Sequence, residues 1–180
     1  MIYVILYLVG GVLFVNGLFF LGIVQNLPGL AGLNFLVGVS IAIMALYIAA
    51  TDMLKAFGDT VSTTATATVF TFALAYIMIA IEIWTKGDFT TIGWYSLIMS
   101  VCLFLLSLGL FNSVGKTLPK VPQFGIMWLL WAIAFFLFFL ALALHWNVGV
   151  ITGWYLIAIA IITCSYPALA NFQAGKVGKW

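Results

Sequence analysis

The sequence predicts an all-α integral membrane protein, a bundle of six transmembrane helices that forms one domain over residues 1–180. Three observations predict it. Hydrophobic residues make up 66% of the chain and charged residues 6%, with a mean hydropathy of +1.29, whereas a soluble domain carries about 25% charge. Apolar runs of the roughly 20 residues needed to cross a bilayer recur six times between short polar breaks. None of these runs alternates polar and apolar residues as a transmembrane barrel strand does.

The first run extends from near Ile2 to Val24 and stops at Gln25-Asn26-Leu27-Pro28-Gly29, a cluster of helix breakers. The opening residues lack a basic stretch and a small-residue cleavage site, so they read as a retained helix and not a signal peptide. The second run, near Leu30 to Ala50, precedes the polar stretch Thr51 to Ser62, which holds Asp52, Lys55 and Asp59. The third, near Thr64 to Trp84, is closed by Thr85-Lys86-Gly87-Asp88. The fourth covers Thr91 to Phe111, before a loop marked by Asn112 to Lys116 and by Pro119-Lys120-Val121-Pro122. The fifth spans Gln123 to Leu144 and ends at His145-Trp146-Asn147; the sixth spans Val150 to Asn171. Short connections make consecutive helices antiparallel neighbours. Trp84, Trp94, Trp146, Trp154 and Trp180 fall near segment ends, where interfacial aromatics belong. Gly93-Trp94-Tyr95 and Gly153-Trp154-Tyr155 open the fourth and sixth segments. They mark either a parallel repeat of helical hairpins or two copies of a convenient interfacial start.

Several function classes are excluded or disfavoured by what the chain does not carry. Its six cations are all lysines, spread over positions 55, 86, 116, 120, 176 and 179, too scattered for a nucleic-acid footprint. The surface partner is the lipid bilayer. Cys102 and Cys164 lie far apart inside apolar segments and read as small buried hydrophobes. His145 is the one histidine, and a metal site needs partners it lacks. No Gly-rich phosphate loop and no GxSxG elbow is present, so no cofactor and no enzymatic activity are expected. Asp52, Asp59 and Asp88 fall in loops, and Glu82 sits near a helix end. Proton pumps and ion-coupled transporters usually hold ionisable groups at mid-membrane. Here those depths hold neutral groups: Asn16, Asn34, Ser40, Tyr47, Thr71, Tyr76, Ser100 and Ser107. Bonding between helices is the ordinary use of such side chains, and it is expected of the three serines.

Two helices carry regular stripes. Ile2, Leu6, Val9 and Leu13 recur at i, i+4, i+7 and i+11 and share one face. Phe124, Trp128, Trp131 and Phe135 repeat that spacing, and Phe72 and Tyr76 stand one turn apart in the third helix. Spacing alone leaves packing and a solute path both open, since every face of a membrane helix is apolar. Trp128 and Trp131 are less ordinary. Tryptophan favours the interface because its indole N–H wants a partner, and a carbonyl oxygen passing through would serve.

At these residues the sequence resembles the AmiS/UreI family of bacterial urea and amide channels, over nearly the whole chain. Leu6-Tyr7-Leu8-Val9-Gly10 followed by Asn16-Gly17 matches the family's first helix, and Asn34-Phe35 with Gly38 the second. Trp94-Tyr95-Ser96-Leu97 is the most characteristic string, and Trp128-x-x-Trp131 also fits. The resemblance implies a homo-hexameric ring in a bacterial inner or plasma membrane, each protomer enclosing its own pore. Two constrictions are implied. The aliphatic one uses Ile2, Leu6 and Leu13 with Ala134 and Phe135; the aromatic one uses Phe72, Tyr76, Phe124, Trp128 and Trp131. The implied activity is passive passage of urea or a short-chain amide. A gradient-coupled small-amide transporter and a non-transporting scaffold subunit are the alternatives.

The chain also departs from the acid-gated member of that family. Phe124 and Phe135 stand where that protein has Trp, Ala134 where it has Leu, and Ile159 where it has Glu. The long histidine-rich loop between its second and third helices corresponds here to Thr51–Ser62, which has no histidine. Without groups that titrate near neutrality, no gating by external acid is expected. The resemblance puts both termini outside. Lysine counting points the other way, with Lys55, Lys116, Lys120, Lys176 and Lys179 on the terminal side and Lys86 alone opposite.

Overall fold

The structure, a computed structural model, describes residues 2–51, 59–111 and 122–173. Asp52, Lys55, Lys116, Lys120, Lys176, Lys179 and Trp180 lie outside the described residues, as does the Ile2 side chain. The helices are α1 (Ile2–Phe20), α2 (Leu27–Thr51), α3 (Asp59–Thr85), α4 (Thr90–Leu110), α5 (Pro122–Phe138), α6 (Gly149–Ile159) and α7 (Tyr166–Gln173). A π-helical stretch, Phe139–Ala143, prolongs α5, and another, Ala160–Ser165, joins α6 to α7. Among the described residues, six spans are therefore long and apolar enough to cross a membrane, the last running Gly149–Ala170. This is the architecture read from composition and run length.

Two helix starts differ from that reading. Leu27, Pro28 and Gly29 belong to α2 and not to the preceding turn. Asn26 caps the helix, its side-chain oxygen accepting the Gly29 N–H at 3.1 Å, and proline is tolerated in a first turn whose N–H groups have no partner within the helix. Asp59, expected in a loop, is the first residue of α3.

The helices close into a ring. Each contacts the next in sequence, and the sixth span returns to α1. The most extensive packing pairs α2 with α3, α4 with α5, and α1 with α6. Glycines permit the close approaches. A Cβ on Gly17 would stand 2.8 Å from the Gly153 carbonyl oxygen, and one on Gly153 2.9 Å from that of Gly17. At Gly38 it would stand 2.9 Å from the Ala73 oxygen, and at Gly93 2.5 Å from the Ala143 nitrogen. Small residues that admit a neighbouring backbone are the usual basis of tight packing in lipid.

Polar side chains add bonds across the same interfaces. Asn16 and Asn34 exchange amide hydrogen bonds at 3.0 and 2.8 Å between α1 and α2, and Asn34 also donates to the Leu30 oxygen at 2.9 Å. Ser100 donates to the Ala132 oxygen and Ser107 to the Gly125 oxygen, each at 2.8 Å, which joins α4 to α5. Ser40 bonds within its own helix, to the Leu36 oxygen.

The two Gly-Trp-Tyr strings occupy equivalent places. Gly93 packs on the π-helical end of the fifth span, the next neighbour in the ring, and Gly153 packs on α1, the next neighbour of the sixth span. Tyr95 donates to the Thr71 oxygen of α3 at 3.1 Å, and Tyr155 to the Leu130 oxygen of α5 at 2.8 Å. Each tyrosine thus ties its helix to the preceding one, while Trp94 and Trp154 are exposed on the outer surface. Identical roles favour the hairpin repeat over coincidence.

Candidate functional site

The ring of helices surrounds a column of aromatic side chains. Trp128 and Trp131 meet edge to face, 5.1 Å between centroids. Trp131 meets Phe72 at 4.5 Å and 73°, Phe72 meets Phe135 at 5.2 Å, and Phe135 meets Phe138 at 6.3 Å. Phe20 of α1 joins the series, 5.6 Å from Phe138. Edge-to-face pairing is the preferred arrangement of ring quadrupoles. The column lies in the buried core.

Beside it is a cavity of about 20 Å³, lined from α1, α3, α4, α5 and α6. That is room for about one water molecule. Among the residues expected to line a path, Leu13, Phe72, Tyr76, Trp131, Ala134 and Phe135 line it. Leu6, Val9 and Trp128 are buried in the core without lining it. Phe124 is 42% exposed and does not line it. Ile2 begins α1.

The remaining lining is Ala75, Ile79, Ile92, Ser96, Phe138 and Ile159. The α3 share was open to reading from spacing, because Phe72, Ala75, Tyr76 and Ile79 recur at i, i+3, i+4 and i+7. Ile92 and Ser96 were not, since which face of α4 turns inward depends on its crossing with α5.

Most of the polar groups here are accounted for. The Trp131 indole N–H donates to Thr163 Oγ1 at 2.9 Å, and that hydroxyl donates to the Ile159 oxygen at 2.6 Å. A carbonyl oxygen passing through is thus not what satisfies Trp131, because α6 supplies the acceptor from its π-helical stretch. π-helical stretches in α-helices frequently coincide with functional sites. Tyr76 Oη and Ser96 Oγ, by contrast, are buried and have no partner. Among the described residues, no Asp, Glu, Lys or His lines the cavity. The described carboxylates nearest a helix end are peripheral. Asp88 accepts the Thr90 N–H at 3.0 Å at the start of α4, and that bond holds its carboxyl below the usual carboxylate range.

Known proteins resemble this chain along its length. The model of the AmiS/UreI family transporters matches residues 1–174. An amidate substrates transporter protein of Mycolicibacterium smegmatis is 32% identical, over 96% of this chain and 78% of its own. The transporter protein AmiS2 of Rhodococcus erythropolis is 33% identical, over 89% and 73%. The crystal structure of the urea channel from the human gastric pathogen Helicobacter pylori superposes with a TM-score of 0.79 at 26% identity, covering 97% of this chain and 99% of that one. A cryo-EM structure of the Helicobacter pylori urea channel in a closed state gives 0.81 at 24% identity over the whole of both chains, a likeness of fold. With its six spans closed into one ring and a family match running from the first helix to the last, this chain belongs to the AmiS/UreI family of transporters, multi-pass membrane proteins and not enzymes.

Proposed function

We propose that the chain is one six-helix channel domain that passes urea or a short-chain amide down its gradient along the axis of each protomer. The observation that carries this is the aromatic column beside a cavity that no described Asp, Glu, Lys or His lines. Urea is flat, uncharged and polar on every edge. Ring faces accept such a plane, while an ion meets nothing that repays its lost hydration. The similarity to a urea channel and to an amidate substrates transporter supports this solute class.

The rings touch and the cavity holds about one water molecule, so transit past this point requires ring rotation. Trp131 is tethered by Thr163. Phe72 and Phe135 carry no polar atom to anchor them and are the rings that turn aside. The aliphatic constriction is assigned to Ile2, Leu6 and Leu13 with Ala134 and Phe135, Val9 sharing their stripe along the path, and the aromatic one to Phe72, Tyr76, Phe124, Trp128 and Trp131. External acid does not gate the path, because the sequence between α2 and α3 holds no histidine. A homo-hexamer in the bacterial inner membrane, termini outside, completes the reading. Exposed apolar side chains such as Leu36, Ile43, Ile98 and Leu105 supply the surface for lipid and for neighbouring protomers.

Stopped-flow flux of urea and acetamide into proteoliposomes tests this. Flux should be downhill and indifferent to proton and sodium ionophores. Collapse with either gradient would mean coupled transport, and flux no greater than that of protein-free liposomes would leave a scaffold role. Trp128→Ala or Trp131→Ala variants with unchanged rate and selectivity would refute the aromatic slot. Labelling a cysteine placed at the C-terminal tail with an impermeant reagent tests the orientation.

A further inference from the structure

We propose that Ser96, with Tyr76, is the polar docking point for the solute's amide group within the path, a specificity-determining residue for the transport proposed above and resting on that reading. Buried hydroxyls in folded proteins are nearly always hydrogen-bonded. Ser96 is 1% exposed and Tyr76 3% exposed, and neither hydroxyl has a partner. Both residues line the one-water cavity, whose other walls are apolar.

The rest of α4 shows that a bonded serine was available to this fold. Ser100 and Ser107 on the same buried face each donate to an α5 carbonyl at 2.8 Å. One turn nearer the start of α4, Ser96 makes no such bond. Packing does not demand a serine there either. At the corresponding place after the second Gly-Trp-Tyr string stands Leu156, 0% exposed. A polar side chain has been put where an apolar one fits, and its hydroxyl makes no bond to the protein.

Two unpartnered hydroxyls on residues that line one small space suit a group that presents an acceptor and a donor side by side. A hydroxyl both donates and accepts. One can donate to a carbonyl oxygen while the other accepts from the adjacent N–H. This arrangement selects the amide group shared by urea and simple carboxamides over solutes that lack a strong carbonyl acceptor.

Three variants, Ser96→Ala, Ser96→Thr and Ser100→Ala, separate a solute contact from a packing role. In proteoliposomes, Ser96→Ala should lower urea and acetamide flux about 2- to 10-fold, the loss of one neutral hydrogen bond at the barrier. Its preference for urea over thiourea, a weaker acceptor, should fall with it. Ser96→Thr, which keeps the hydroxyl, should retain the preference. Purified Ser96→Ala should melt no lower than wild type, because an unpartnered hydroxyl is what it loses, whereas Ser100→Ala should melt lower. Wild-type flux with an unchanged urea:thiourea ratio in Ser96→Ala overturns the assignment, and so does equal loss of both solutes with a lowered melting point. If wild type itself passes neither urea nor acetamide, the channel reading fails and the docking point with it.

Discussion

The Trp131–Thr163 bond offers a quantitative handle on the aromatic column. The indole N–H and the hydroxyl are 2.9 Å apart, and the two residues are 4% and 5% exposed. Thr163→Val keeps the shape and removes the acceptor, leaving the indole N–H among apolar groups. Hydrogen bonds between membrane helices average about 0.6 kcal/mol and reach about 1.7 kcal/mol, the lower figure arising where freed groups find other partners. Trp131 faces an apolar lining, so the upper end is expected, near 1.7 kcal/mol. Trp131→Phe works differently. The Thr163 hydroxyl keeps its bond to the Ile159 oxygen at 2.6 Å, and the cost is lost ring contact. In the Trp131→Phe background, Thr163→Val should therefore cost far less than alone. The assay is a double-mutant cycle on detergent-induced unfolding in mixed micelles, where a coupling energy of about 1 kcal/mol or more is expected. Additivity within about 0.3 kcal/mol, the range found for independent sites, would refute the claim that this bond holds the tryptophan in place. Flux gives a second readout, since an untethered Trp131 should blunt discrimination between urea and acetamide.

Other perturbations probe the ring and the path. Phe135→Leu shortens a side chain 5.2 Å from Phe72; it should raise propionamide flux relative to urea at a stability cost near the ~1 kcal/mol typical of point mutants, and an unchanged ratio in paired flux assays would remove Phe135 from the path. Gly17→Ala places a methyl 2.8 Å from the Gly153 oxygen; forcing α1 from α6 should cost about 1–3 kcal/mol, read as reduced resistance to unfolding in mixed micelles. The bond to Thr90 lowers the Asp88 pKa, so its stabilising effect is complete above the unfolded value of about 3.9 and fades only as pH falls through the lower folded value. Urea flux at pH 7 and pH 5 should accordingly match, and strong activation at pH 5 would refute an acid-independent path.

Composition and run length are enough to say that the chain lives in lipid, how many times it crosses, and which side chains are available for chemistry. Those properties follow from local composition. An apolar run must satisfy its backbone internally, and only a helix does so within one segment. The sequence also placed Phe72 and Tyr76 on one helical face, because a 3.6-residue period needs no partner to be read. Helix starts were less legible, since the Asn26 side chain extends α2 through a Leu-Pro-Gly string that elsewhere signals a break. The tertiary structure alone decided which faces turn inward. In a membrane helix all faces are apolar, so the burial of Trp131 and the 42% exposure of Phe124, both in one even stripe, come from where α5 meets its neighbours. The same holds for hydrogen bonds across helices. Three similar serines on α4 have two partners among them. Which one remains unbonded beside the cavity depends on the register between α4 and α5, set by glycine contacts far along the chain.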